Sequence, residues 1–195
     1  MKYTEMKSGC LFHASSNTNL QKIHPYPSGA YEGQSLVFAS RLPNIAATFL
    51  HDIGKGITCN IESIVSNVPI LHEKYVGAFE TKYRNEPGAI YIVPAANFSW
   101  APESQPGKQR WNEDYVSAVS ISPIEKIYIP NVRSYILDLI DKGMIVFKKH
   151  DKGMTLEQRL AEIFSPGSIS YQNNYEFLSN PDRIKAEINA RQQIR

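Results

Sequence analysis

Three short strings, in order along the chain, each join a β-type apolar stretch to a polar residue able to bind or react. They are Leu11-Phe12-His13-Ala14-Ser15-Ser16, Val37-Phe38-Ala39-Ser40 and Asn112-Glu113-Asp114-Tyr115-Val116-Ser117. A histidine ends the first strand, a serine the second, and a carboxylate pair opens the third. Strands this short, each tied to a polar group, point to a small sheet-based fold with its chemistry gathered at strand ends. No apolar run approaches the roughly 20 residues that would span a bilayer. The opening Met1-Lys2-Tyr3-Thr4-Glu5-Met6-Lys7 lacks the apolar core of a signal peptide. The expectation is a soluble protein with no membrane partner.

At 195 residues the chain can build one well-buried core but not two comfortable ones. Its 42% hydrophobic and 21% charged residues argue against disorder, and a net charge of +2 does not require a polyanion-binding surface. Cys10 and Cys59 can make at most one bridge, and neither lies in a zinc-type spacing. We read Cys10 as a buried free thiol in a strand, which implies a reducing, cytoplasmic setting.

Strands are predicted over residues 10–14, 35–40, 57–61, 69–71, 89–93, 116–122, 126–129 and 144–148. Residues 75–83 alternate bulky and small side chains. Residues 15–31 and 100–111 are rich in Pro, Gly and polar side chains and read as long loops. A helix is expected from Pro43, with Ile45, Ala46, Phe49, Leu50 and Ile53 on one face and Gly54 as its stop. A second starts at an Asn131 cap and runs to Lys142 before Gly143. A third opens at Thr155, whose spacing to Gln158 is that of a capping box. The tail from Asn180 reads as a polar terminal helix. Strands clustered centrally with helices interspersed irregularly give an α+β class.

Each candidate site residue carries a bland reading beside the functional one. His13 is either a satisfied strand histidine or a donor and acceptor for a ligand's hydroxyls, with Ser15, Ser16, Asn17 and Asn19 beside it. Ser40 and Arg41 precede the Pro43 helix, where an anion can sit, or Ser40 only caps the turn. Glu113 and Asp114 are either solvated loop charges or acids at a strand's mouth. In the latter case they can hold a ribose hydroxyl or stabilise a cationic sugar transition state. Tyr31 and Tyr91 can each offer an aromatic face to a planar ring, or Tyr91 is core. His51-Asp52 matches the short HD string of metal phosphohydrolases, but we read it as the polar end of a helix. His72-Glu73 lacks the second histidine of a zinc-protease motif, and no nucleophile elbow or phosphate loop is present.

The order of these strings resembles the ADP-ribosyltransferase superfamily in its broad sense, which includes RNA 2′-phosphotransferases. There a first strand carries a His or Arg, a middle strand a Tyr, Ser or His, and a later strand a catalytic Glu. Phe12-His13-Ala14-Ser15 resembles the first element, Val37-Phe38-Ala39-Ser40 with Ala46 and Phe49 the second, and Glu113-Asp114-Tyr115-Val116-Ser117 the last. The whole stretch from Leu11 to about Phe147 also resembles small uncharacterised bacterial proteins of that type. Here Asp114 intervenes between Glu113 and the aromatic-Val-Ser string, so either acid can occupy the catalytic position. Arg41, Lys82 and Arg84 are the candidates for a phosphate-binding basic set.

The resemblance implies a split, mainly antiparallel β-sheet with flanking helices over residues 1–150. Residues 151–195 would form a C-terminal helical extension on the same domain. It implies an NAD-dependent ADP-ribosyl, or related nucleotidyl or phosphoryl, transferase that binds a nucleotide or dinucleotide, and it leaves the acceptor, protein or nucleic acid, open. His13, Glu113 and Asp114 would be catalytic, and no resident metal is implied. His13, Ser15, Ser16, Asn17, Ser40, Arg41 and Tyr91 would contact NAD. The alternatives are an inactive ligand- or protein-binding module of the same fold and, more remotely, an HD-type metal phosphohydrolase.

Overall fold

The computed structural model describes residues 9–27, 34–52, 57–100, 115–151, 153–163, 165, 186 and 190. Its strands are β1 (Cys10–Ser15), β2 (Tyr26–Pro27), β3 (Ser35–Ala39), β4 (Cys59–Val65), β5 (Val68–Glu73), β6 (Gly88–Pro94), β7 (Ser99–Trp100), β8 (Tyr115–Ser117), β9 (Glu125–Ile129) and β10 (Val146–Lys148). Its helices are α1 (Pro43–Ala47), α2 (Ala78–Lys82), α3 (Val132–Asp141) and α4 (Leu156–Ile163). The class is α+β.

β6 has no polar face, so it needs strand partners on both edges and cover on both sides. It pairs antiparallel with β1 and with β9, and every residue from Gly88 to Val93 is buried. Ile90 packs into a core with Leu71, Phe79 and Tyr83, closed by Ile136 and Leu139 of α3 and by Leu156, Leu160 and Ile163 of α4. Ala89, Tyr91 and Val93 turn to the opposite side, against Leu11, Ile23, Val37, Ala39 and Ile121. A second antiparallel sheet has the order β2-β3-β8-β7, and a third places β5 between β4 and a parallel β10. β1 and β3 touch at one bridge, where Phe12 and Ser40 exchange backbone hydrogen bonds of 2.8 and 2.9 Å, and then diverge.

The expected strands over 10–14, 35–40, 89–93 and 126–129 are present, as are the Asn131 and Thr155 helix starts. The Asn131 side chain accepts from Ser134 N–H at 2.9 Å. The Thr155–Gln158 box closes both ways, at 2.8 and 3.3 Å.

Other expectations are corrected. The Pro43 helix ends at Ala47, because Thr48 Oγ1 donates to Ile45 O at 2.7 Å while successive N–H groups shift to i−3 carbonyls. Phe49 is 46% exposed as a result, and residues 53–56 lie outside the described set. Residues 75–83 contain α2, not a strand: Tyr75, Ala78, Phe79 and Tyr83 are buried at helical spacing. The 57–61 and 69–71 strands are longer and form one hairpin. Its two turn residues, Ser66 and Asn67, both have positive φ (51° and 66°). The 15–31 loop includes β2, the 116–122 strand shortens to β8 with a separate Ile23–Ile121 bridge, and Trp100 belongs to β7. Residues 101–114 and most of the tail lie outside the described set. Cys10 and Cys59 are free thiols, the latter buried and pushed up to about 12 by that burial. Among the described residues no helix is long and apolar enough to cross a membrane.

Candidate functional site

β1 and β3 share only the Phe12–Ser40 bridge, and His13 stands just past it. Beyond the Phe12–Ser40 bridge, the carbonyl of Phe38 is met by a side chain: His13 Nδ1 lies 2.7 Å from Phe38 O. A carbonyl accepts only, so Nδ1 carries the proton and Nε2 presents a lone pair. Among the described residues nothing else hydrogen-bonds to this ring. The imidazole is half-buried, and burial holds it below the ordinary histidine value, partly offset by the Phe38 hydrogen bond. It is therefore a neutral acceptor at the fork between two sheets.

His13, Tyr91 and Lys126 stand in one row across β1, β6 and β9, and so on one face. The loop after β1 is tied down over this row. Tyr91 Oη donates to Asn17 O at 2.8 Å and accepts from Leu20 N–H at 2.9 Å, while Lys126 Nζ donates to Thr18 O at 2.7 Å. Within the loop, Ser15 Oγ accepts from Asn17 N–H and Asn17 Oδ1 from Asn19 N–H, at 3.1 and 2.9 Å. A hollow of about 190 Å³ lies beside it, lined by Asn19, Leu20, Gln21, Tyr91, Ile124 and Lys126 among others. His13 does not line it.

The expected contact residues divide accordingly. Tyr91 is 1% exposed with its hydroxyl committed, so its ring is core and pins the loop; it offers no open face for stacking. Ser40 is buried, and its Oγ accepts from Leu42 N–H at 3.2 Å, the turn-capping role. Ser15 and Asn17 shape the loop, Ser16 is exposed, and Arg41 is exposed at the turn into α1. Glu113, Asp114 and Tyr31 lie outside the described residues. The strand that follows the two acids, β8, pairs with β3, with Tyr115 opposite Ala39.

Lys82 and Arg84 do not form a phosphate-binding pair. Lys82 is 3% exposed, with Nζ 3.2 Å from Asp52 Oδ1 and donating to Cys59 O at 3.1 Å. Arg84 pairs with Glu86. His51 is buried with both ring nitrogens engaged: Nε2 lies 3.0 Å from Pro87 O, and Nδ1 accepts from Arg84 N–H at 3.3 Å. Both nitrogens are thus taken by backbone groups. Among the described residues no three His, Cys, Asp or Glu side chains stand together as a metal-binding group.

The sequence singles out Glu73 only within the rejected His72-Glu73 string and does not single out Lys126 at all. Glu73 is buried and accepts from the N–H groups of Gly77, Phe79 and His150 at 3.1, 3.1 and 3.3 Å. The signal for both is register, which only the pairing of strands discloses. No family model matches the chain, and neither a curated protein nor a solved structure is similar to it.

Proposed function

We propose that the chain is an NAD-binding transferase of the ADP-ribosyl type. In this reading His13 holds a ribose hydroxyl at the fork, and Glu113 or Asp114 acts on the same sugar. The state of the His13 ring carries the proposal: Nδ1 is fixed on Phe38 O, while Nε2 has no partner among the described residues. A fixed neutral imidazole accepts a hydrogen bond from a sugar hydroxyl without costing further ordering. The pairing of β8 with β3 supports it, since the strand directly after the two acids neighbours the strand that forks from β1. A carboxylate on the ribose 2′-hydroxyl stabilises the oxocarbenium-like state as the C1′–nicotinamide bond breaks. The acceptor's nucleophile then bonds to C1′, and nicotinamide leaves.

Calorimetric titration with NAD tests this. Wild type binds, and His13→Ala binds about tenfold more weakly, the loss of one hydrogen bond of about 1–1.5 kcal/mol. No binding heat from either protein overturns the reading. Nicotinamide release in Glu113→Gln and Asp114→Asn identifies the acid, with a drop of about 100-fold for the one that acts.

A second reading, a binding module without turnover, is favoured by one observation. Ser15, Asn17, Ser40 and Tyr91 are all used in internal hydrogen bonds. NAD binding with no nicotinamide release from wild type selects it.

A further inference from the structure

Alternation along β4 and β5 sends Cys59, Ile61, Leu71 and Glu73 inward; the second face is polar at the end away from the hairpin turn, with Asn60 and His72, and apolar toward the turn, with Ile70 and Val68. Asn60, His72 and Lys148 form one row across β4, β5 and β10. Thr58 and Lys74 form the start of the next, with Lys74 N–H donating to Thr58 O at 2.8 Å. His150, two residues past Lys148, stacks on His72 with ring centroids 6.2 Å apart and 22° between planes.

Two observations set this face apart. Thr58 is 0% exposed, yet its hydroxyl has no hydrogen-bond partner; Asn60 Oδ1 and both ring nitrogens of His150 are likewise buried and unpartnered. Buried polar atoms are rarely left this way, and here four hydrogen-bonding positions without a protein partner belong to Thr58, Asn60 and His150. The second observation is charge. Lys148 pairs with Glu62 and Arg159 with Glu162, at 2.9 and 2.6 Å, but Lys74 has no carboxylate within ion-pair distance among the described residues. Its ammonium lies 3.5 Å from His72 Nδ1, and the carboxylates of Glu62 and Glu162 act on it only from beyond ion-pair distance. Burial, then the neighbouring Arg159, holds the Lys74 amine below its ordinary range.

We propose that this face binds a small oxyanion of the phosphate type, with Lys74 as its counter-ion and Thr58, His72 and His150 as hydrogen-bond donors. Water alone would satisfy the orphaned atoms but not the lysine's charge, and a cation would be repelled by it. The Asn60 amide joins by rotating its Nδ2 inward. The inference stands apart from the NAD reading and uses none of its residues.

Titrating inorganic phosphate while following the histidine ring signals by NMR tests it. His72 and His150 shift saturably in wild type, and chloride at matched ionic strength leaves them in place. Lys74→Met keeps the aliphatic stem and weakens binding about tenfold or more. Thr58→Val keeps the side-chain shape, weakens binding about threefold, and carries the test if the lysine variant does not fold. Glycerol phosphate separates the sources: equal affinity assigns the terminal phosphate of a metabolite, and loss of binding assigns the free ion. No saturable shift in wild type, or one curve shared by wild type and both variants, overturns the proposal.

Discussion

The imidazole of His13 answers a carbonyl that two diverging strands leave behind. Its hydrogen bond to Phe38 O gives the residue a structural reason to be where it is, apart from any ligand. Burial sets its folded-state value below the ordinary 6.5, so the unfolded chain binds the proton first as pH falls. The stability this neutral ring contributes is complete above 6.5 and disappears as pH drops through the folded-state value. His72 is shifted the same way, by burial and then by Lys74, so His13 supplies only part of the effect. His13→Gln, whose amide can still donate to Phe38 O, therefore loses less stability than wild type on acidification below 6.5. Urea midpoints measured across that range check it; parallel curves would mean the ring titrates alike in both states. That a histidine stood at a strand end was readable from Leu11-Phe12-His13. Which nitrogen is committed was not, because the partner carbonyl lies 25 residues away.

Helix starts are written locally, and both capped helices begin where their Asn and Thr signals stand. Helix ends and turns are less so. α1 stops early through Thr48, whose carbonyl accepts from Tyr83 Oη at 2.9 Å, a contact from a distant segment. The β4–β5 turn is built from Ser66 and Asn67 without a glycine, so both residues sit in the left-handed region that costs ordinary side chains about 1 kcal/mol or more. Asn44 Nδ2 donates to Asn67 O and Met144 O, each at 2.9 Å, which ties this turn to α1 and to the approach to β10. Asn67→Gly keeps that backbone acceptor and removes the strain. It should raise stability by about 0.5 kcal/mol, the gain being limited by asparagine's own tolerance of this region. A higher urea midpoint at unchanged slope is the expected result; a lower one would place the turn's strain elsewhere.

At the scale of the whole molecule, β6 is the shared wall of two cores, and Gly88 is where its first residue meets other elements. A Cβ there would lie 2.8 Å from Val132 Cγ2, 3.0 Å from Leu50 Cδ2 and 3.4 Å from Ser15 O. Val132 and Leu50 are fully buried, so neither has room to retreat. Gly88→Ala should cost about 1–3 kcal/mol by overpacking, read as a lower urea midpoint, while an unchanged midpoint would show that α3 can shift off the sheet. The apolar run after Pro87-Gly88, the strands over 10–14, 35–40 and 126–129 and the two capped helices were legible beforehand, since each depends on neighbours in the chain and on side-chain period. The roles of Tyr91, Ser40 and Lys82 were not. Tyr91 became a clasp for the 15–20 loop, Ser40 a turn cap and Lys82 a buried partner of Asp52, because their contacts come from other segments. The polar face around Lys74 was hidden for the same reason: its residues lie on β4, on β5 and beyond β10, and only strand pairing sets them side by side. Local chemistry chose the elements, and long-range register chose which polar groups stayed unspent.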